Sequence, residues 1–397
     1  MPPFVRPAYG KEPGPLAWEM SIPEAYAVAP RQEGRGCPGM HDRAREWFDL
    51  RTSHWQEWPL DRLLEARERT GARISVVIPA RNEQHTVGGV VTAIRDALMS
   101  RAPLIDEIVV IDSDSADETA RAAAEAGATV HRARDIAPAL GTYPGKGEAL
   151  WKALLVTQGD LLVFIDADLT HWGTHFVTGL LGPLLTEPGV QLVKGFYARL
   201  RTGTDGSAST EGGRVTELVA RPLLSLWWPE LGGVVQPLAG EWAARRGLME
   251  SLPIPVGYGV ELSTLLDTAA GHGLEAIAQV DLDARAHRHQ ADHDLALMAA
   301  ELRLVAERRR GRGPVPPDAA QPDAAQPDGV QPDGVQPDAR PPDAAPPDTG
   351  SPAATLQQFV RARGQVRPRE RPVPVQERPP VATVRGTALP GHRGAAS

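Results

Sequence analysis

Leu161-Leu162-Val163-Phe164-Ile165-Asp166-Ala167-Asp168 is the stretch on which the fold of this chain turns. Five consecutive apolar residues, too short for a core helix and closed by two carboxylates, predict a strand buried on both faces. A helical stretch, Lys146 to Gln158, precedes it. Further upstream, Glu107-Ile108-Val109-Val110-Ile111 is a second such run, ending in Asp112. The helix after it starts at Ala116, with Ser115 as N-cap, Glu118 as capping-box partner and Gly127 as its stop. Ile74-Ser75-Val76-Val77-Ile78 is the first run, ending at Pro79 and followed by a helical stretch from His85 to Leu98. Short apolar strands alternating with helices predict an α/β fold, a mostly parallel sheet covered on both faces. Ligands of such sheets bind beyond the carboxyl ends of the strands. All three strands end in polar residues there: Arg81-Asn82-Glu83, Asp112-Ser113-Asp114 and Asp166-Ala167-Asp168.

The composition of the 397 residues sets the bounds. Hydrophobic residues make up 42%, enough for a sizeable core. Cys37 is the single cysteine, which excludes an internal disulfide and a cysteine-based zinc cluster. A net charge of −8 argues against a general nucleic-acid binder. The N-terminus has no signal-like apolar stretch and no run is long enough to span a membrane, so a cytoplasmic protein is expected. Residues 1–44 are rich in Pro and Gly and read as a flexible arm. Residues 314–350 place a Pro-Asp pair every fifth residue, from Asp318 to Asp348. That period matches no packed helix or strand, and a disordered, extended linker is expected. Residues 351–397, with eight arginines and two glutamates, form a basic tail that either docks on the folded part or is solvated. The catalytic domain is therefore expected over 45–313, with a nucleotide-sugar half at about 70–170 and an acceptor half at about 171–313.

Asp166 and Asp168, two residues apart at a strand end, suit a hard divalent cation that also touches a diphosphate. An Asp-x-Asp alone is a weak signal, because strand ends often carry capping aspartates; its place at the rim strengthens it. Lys146 lies between Gly145 and Gly147, which leave the backbone free to approach a ligand. Gly213-Arg214-Val215-Thr216 precedes a helix expected over Glu217 to Leu226. Backbone N–H groups, a guanidinium and a hydroxyl at a helix start make a receptor for phosphate or carboxylate. Glu241 is a further carboxylate that suits a cleft.

Pro79-Ala80-Arg81-Asn82-Glu83 and Asp112-Ser113-Asp114-Ser115-Ala116-Asp117-Glu118-Thr119 resemble the opening of family-2-type glycosyltransferases of the GT-A fold. Further blocks are Pro144-Gly145-Lys146-Gly147-Glu148-Ala149-Leu150-Trp151, Val193-Lys194-Gly195-Phe196-Tyr197, Gly213-Arg214-Val215-Thr216-Glu217 and Gly257-Tyr258-Gly259-Val260-Glu261. These resemble the actinobacterial glucosyl-3-phosphoglycerate synthase family, a family-81-like relative of the same fold. The likeness covers about 45–310 and resumes at Leu356-Gln357-Gln358-Phe359 and Glu377-Arg378-Pro379-Pro380.

The resemblance implies a GT-A fold, Rossmann-like, and metal-dependent, retaining transfer of glucose from UDP-glucose to 3-phosphoglycerate. It implies that Pro79, Ala80, Arg81, Asn82, Glu83 and Ser113 hold the uridine, with Lys146, Asp166, Ala167, Leu238, Tyr258, Gly259, Val260 and Glu261 around the rest of the donor. Catalysis then falls to Glu261, Asp166 and Lys146. Metal binding falls to Asp168 and His287, and a carboxylate–imidazole set accepts Mg²⁺ or Mn²⁺. The acceptor falls to Gly213, Arg214, Val215 and Thr216, and to His289 where the family carries asparagine. A homodimer is expected. Other readings are a transferase using GDP-mannose, GDP-glucose or a polyprenyl phosphate, and a non-catalytic nucleotide-sugar-binding protein. A nucleotidyltransferase fits less well, because the first strand carries no glycine-rich phosphate loop.

Overall fold

Alternate residues of the apolar strands serve two different layers, which is why these runs show no polar alternation. Val76, Ile78, Val110 and Val163 pack into one layer, and Val77, Val109, Ile111, Leu162 and Phe164 into the other. The computed structural model describes residues 40–199, 201–202, 208–209, 213–287, 292–310, 354–362, 365–374 and 376–388. The Pro-Asp repeat at 314–350 and residues 1–39 of the expected arm lie outside the described residues. The end of that arm is not loose, because a helix spans Asp42–Arg51 and Ala44 in it is fully buried.

The strands in chain order are β1 (Thr52–His54), β2 (Ile74–Ala80), β3 (Glu107–Asp112), β4 (Thr129–Arg132), β5 (Leu161–Phe164), β6 (Leu169–His171) and β7 (Leu192–Arg199). There follow β8 (Arg201–Thr202), β9 (Ala208–Ser209), β10 (Trp242–Arg245), β11 (Ile254–Pro255), β12 (Ile277–His287), β13 (Thr355–Ala362), β14 (Gln365–Pro372) and β15 (Glu377–Arg378). The main sheet runs β1-β12-β7-β10-β5-β2-β3-β4, with β6 paired antiparallel to β12. Along the main path every pairing is parallel except those of β10, which runs against both β5 and β7. This is the mostly parallel sheet expected, and it puts the ends of β2, β3 and β5 along one rim.

The helices are α1 (Asp42–Arg51), α2 (Leu60–Thr70), α3 (Val87–Arg95), α4 (Thr119–Glu125), α5 (Lys146–Val156) and α6 (His175–Thr186). They continue as α7 (Arg221–Trp227), α8 (Arg246–Ser251), α9 (Val260–His272), α10 (Asp292–Arg310) and α11 (Val381–Ala388). Residues of α3 and α6 fill the first layer, and residues of α5 and α9 the second. Among the described residues no helix is long and apolar enough to cross a membrane.

Local expectations need three corrections. The capping box at Ser115 and Glu118 does not form; α4 begins only at Thr119, and no side chain caps it. Ser115 Oγ is engaged instead with the backbone N–H of Asn82, from which it accepts at 2.9 Å. The helix after β2 is shorter than expected and passes into a π-helical turn, Asp96–Arg101. The helix expected from Glu217 likewise opens with a π turn, Thr216–Ala220, before α7. Gly127 does stop α4, with φ at +101°.

Part of the basic tail docks. β15 pairs antiparallel with β11, and Val381 of α11 is fully buried in the second layer.

Candidate active site

The chain turns sharply after β2, where Asn82 adopts φ +57°. Its side-chain oxygen accepts from the Ala116 N–H at 2.9 Å, and Thr119 Oγ1 accepts from the Glu83 N–H at 2.8 Å. The loops after β2 and β3 are thereby tied together, and Ser113 is set beside Ala80 by a 2.9 Å backbone bond. Asn82 is thus a brace between these loops. Beside it opens a cleft of about 300 Å³, lined by Pro79, Ala80, Arg81, Glu83 and Ser113 from this corner.

Lys146, Asp166, Ala167, Asp168, Leu238, Tyr258 and Glu261 line the same cleft, though nearly 200 residues of chain separate the first corner from the last of them. Lys146 reaches it because its flanking glycines allow close approach to the β11 region. A Cβ on Gly145, which has φ +137°, would meet the Val256 carbonyl oxygen at 2.3 Å; one on Gly147 would meet that of Pro255 at 1.8 Å. Its ammonium donates to Asp166 Oδ1 at 2.6 Å and pairs with Glu261 Oε1 at 2.8 Å. Burial by itself lowers the Lys146 pKa, but the two carboxylates more than offset it and the net shift is upward. Gly259 and Val260 are not among the lining residues. Gly259 packs against Val305, and Val260 is fully buried at the head of α9, where it anchors the turn that carries Glu261.

Arg285 is the residue that the sequence reading missed. Its guanidinium bonds Glu241 Oε2 at 2.5 Å and Asp166 Oδ2 at 3.1 Å, and lies 3.6 Å from Asp168 Oδ1. Tyr197 completes the group: its hydroxyl donates to Glu241 Oε2 at 2.7 Å, and Arg285 lies 5.0 Å from its ring centroid. A bulge in β12 makes this possible. Asp281 pairs with Phe196 but Ala284 with Ala198, so β12 carries one extra residue. Asp283 sits there at φ +64°, its carboxylate bonded to His54 Nε2 at 3.0 Å and to the Trp55 indole N–H at 2.6 Å. Unbroken alternation would send Arg285 to the layer of Ile277. The extra residue turns it to the face of Tyr197.

The electrostatics follow from this packing. Asp166 is raised by burial, but Lys146 and Arg285 outweigh that and hold it well below the usual carboxylate range. Asp168 is pushed up to about 6 by burial and by the neighbouring carboxylates of Asp166, Glu241 and Glu83, with Arg285 opposing. Lys194, buried behind the cluster and donating to the Ala239 carbonyl at 3.0 Å, is lowered to about 8 by its burial. Gly240 is needed at close quarters, since a Cβ there would lie 2.1 Å from Asp166 Oδ2.

The glycosyl transferase family 2 profile matches residues 75–216, which span the first rim and the Asp166 strand. A glucosyl-3-phosphoglycerate synthase of Petrotoga mobilis is 48% identical over 247 residues, covering 62% of this chain and 76% of that one. The chain belongs to the glucosyl-3-phosphoglycerate synthase family. Among solved structures, the glucosyl-3-phosphoglycerate synthase of Mycobacterium tuberculosis in complex with Mn²⁺, UDP and phosphoglyceric acid matches with a TM-score of 0.67 and 38% identity. That match covers 84% of this chain and 98% of the other. The mannosyl-3-phosphoglycerate synthase of Rubrobacter xylanophilus matches with a TM-score of 0.71 at 37% identity, covering 87% and 99%.

For a member of this family, the cleft collects most of the donor residues expected from sequence, and adds Gly145, Gly240, Arg285, Met298 and Leu302. The remaining expected residues lie elsewhere or outside the description. Gly213, Arg214, Val215 and Thr216 begin the helical segment ahead of α7, with Val215 and Thr216 buried, and none of the four is among the lining residues. His287 ends β12 opposite Leu169; its side chain, and His289 entirely, lie outside the described residues. Among the described residues no three His, Cys, Asp or Glu side chains form a metal-holding group.

Proposed function

We propose that this protein transfers glucose from UDP-glucose to D-3-phosphoglycerate, giving glucosyl-3-phosphoglycerate and UDP with the help of Mg²⁺ or Mn²⁺. The observation that carries this reading is the convergence of Lys146, Asp166 and Glu261 within 2.8 Å contacts, in a rim cleft of a chain from this family. The complex of the Mycobacterium tuberculosis relative with Mn²⁺, UDP and phosphoglyceric acid supports the same ligand set.

In this reading the corner from Pro79 to Glu83, with Ser113, receives the uridine, and Leu238 and Tyr258 flank the sugar. Lys146 lies between the donor-facing carboxylates, where its fixed positive charge meets the charge that develops on the departing diphosphate. Glu261 accepts from glucose hydroxyls. The anomeric carbon–oxygen bond to the diphosphate breaks as the 2-hydroxyl oxygen of 3-phosphoglycerate bonds to the same carbon. The hydroxyl proton passes to the leaving diphosphate. With no covalent nucleophile invoked, the attack comes from the face that the diphosphate leaves, and catalysis rests on positioning and electrostatics. Arg214 and Thr216, with His289, hold the acceptor at its phosphate and carboxylate.

The donor set fits a divalent cation. Asp168 is buried with the carboxylates of Asp166, Glu241 and Glu83 around it and Arg285 opposing them. Burial first and then these neighbours raise its pKa to about 6, and a further cation placed there would favour its charged form. Asp168 and His287 are the residues that would hold it, and a bound ion supplies Lewis-acid stabilisation to the diphosphate. Both substrates are charged and phosphorylated, which suits a cytoplasmic site of action.

The test is a transfer assay with UDP-glucose, 3-phosphoglycerate and either metal, following UDP release and the phosphorylated glucoside. GDP-mannose belongs in the same assay because the Rubrobacter xylanophilus relative is a mannosyl-3-phosphoglycerate synthase. Preference for GDP-mannose would replace the donor. Absence of transfer from either donor would sink the reading and favour a non-catalytic binding protein.

A further inference from the structure

Glu148, in the first turn of α5, is a carboxylate only 1% exposed, and the partner that neutralises it comes from the tail of the chain. Arg378 of β15 donates to both of its oxygens, Nε to Oε2 at 2.7 Å and Nη2 to Oε1 at 2.6 Å. The same guanidinium reaches back to the loop ahead of α5, bonding the Leu140 carbonyl at 2.8 Å and the Gly141 carbonyl at 3.0 Å. It lies 4.6 Å from the Tyr143 ring centroid and 4.8 Å from that of Trp151. One buried side chain therefore holds both ends of the segment 140–148, and Lys146 lies inside that segment.

The backbone around Arg378 reinforces the hold. Gln376 accepts from the Val256 N–H at 3.1 Å, Val256 accepts from the Glu148 N–H at 2.9 Å, and Gly257 accepts from the Gly147 N–H at 3.0 Å. The Trp151 indole donates to the Pro379 carbonyl at 2.8 Å. Tail, β11 and the lysine loop thus stack as successive hydrogen-bonded layers, and Tyr258 follows directly after β11 and Gly257. Within β15, Glu377 pairs at 2.7 Å with Arg309, which also holds Asp267 of α9 at 2.8 Å. Lys152, 4.0 Å from Glu148, is the only other cation near that carboxylate among the described residues, and it already serves the carbonyls of Ile136 and Gly141.

We propose that Arg378 is a positioning residue for the donor site: the tail strand clamps the glycine-flanked loop so that Lys146 stands between Asp166 and Glu261. This rests on the donor reading given above. Arg378 touches none of the residues lining the cleft except through this loop, so its effect falls on the donor and not on the acceptor. A guanidinium is required, because two carbonyls and a carboxylate must be served in one plane while the ring faces are covered. Lysine at 378 would keep the charge opposite Glu148 and lose the fork.

The experiment uses the full chain and compares Arg378→Ala and Arg378→Lys with wild type. In the ligand-free protein, amide hydrogen exchange at Gly147 and Glu148 is expected to quicken at least tenfold in Arg378→Ala. In steady-state kinetics the KM for UDP-glucose is expected to rise about tenfold, with the KM for 3-phosphoglycerate unchanged. Arg378→Lys is expected to recover thermal stability and only part of the donor KM. If Arg378→Ala does not fold, Arg378→Lys carries the same two readouts. A folded variant with wild-type exchange and wild-type donor KM would overturn the clamp, and so would an equal rise of both KM values. Should wild type itself fail to bind UDP-glucose, the donor reading falls, while the exchange comparison still decides whether Arg378 holds the loop.

Discussion

Arg285 and Glu241 meet at 2.5 Å with Glu241 wholly buried, so the carboxylate pair at the end of β5 is backed by an ion pair sealed from solvent. Removing one partner leaves an uncompensated buried charge, a loss of about 3–5 kcal/mol. Arg285→Met is therefore expected to lower stability by about that amount, measured by urea denaturation. The double variant Arg285→Met/Glu241→Leu is expected to regain most of the stability. It should not regain turnover, because Asp166 and Asp168 would still lack the guanidinium, leaving Asp166 with Lys146 alone. Full activity in the double variant would mean that Arg285 serves only the core.

That pair also marks where the sequence stops being legible. The three apolar runs fixed the rim, because a continuous run closed by a polar residue has one sensible place in a parallel sheet. The glycines around Lys146 were readable only as a place of close approach. The expected neighbour was a ligand, whereas the carbonyls of Val256 and Pro255, more than 100 residues further along the chain, are what meet Gly145 and Gly147. Arg285 was not readable: its facing depends on one extra residue at Asp283, stabilised by His54 and Trp55 from more than 200 residues away. No local pattern announces that. The failed capping box has the same origin, since Ser115 was taken up by Asn82 across the rim instead of capping its own helix.

Metal dependence tests the other carboxylate. Lewis-acid stabilisation contributes several kcal/mol to phosphate departure, or about a hundredfold in rate and more. EDTA is expected to abolish transfer and Mn²⁺ or Mg²⁺ to restore it. Asp168→Ala is expected to lose about a hundredfold in kcat with an unchanged circular dichroism spectrum. Undiminished turnover in EDTA, after tightly held ions have been stripped, would contradict the assignment of Asp168.

Arg214 carries the acceptor assignment. One charge-assisted hydrogen bond is worth roughly 1.5–3 kcal/mol, so Arg214→Ala is expected to raise the KM for 3-phosphoglycerate about tenfold to a hundredfold. Donor affinity should hold. Calorimetry giving wild-type acceptor affinity in the variant would remove Arg214 from the site.

The last expectation concerns Glu301 of α10, whose carboxylate accepts from the Tyr258 N–H at 2.7 Å beside the cleft. It is 3% exposed, and burial pushes its pKa up to about 7, with the Tyr258 hydrogen bond opposing. A carboxyl group that holds its proton more tightly when folded contributes stability that is fully present below its unfolded pKa, near 4.5, and is lost as pH rises through about 7. The loss across that window is about 3 kcal/mol. Glutamine at this position keeps an oxygen for the Tyr258 N–H and has nothing to ionise. Glu301→Gln is therefore expected to match wild type near pH 5 and to exceed its melting temperature by several degrees at pH 8. A melting-temperature difference that stays constant between those pH values would show that Glu301 is already ionised in the folded chain.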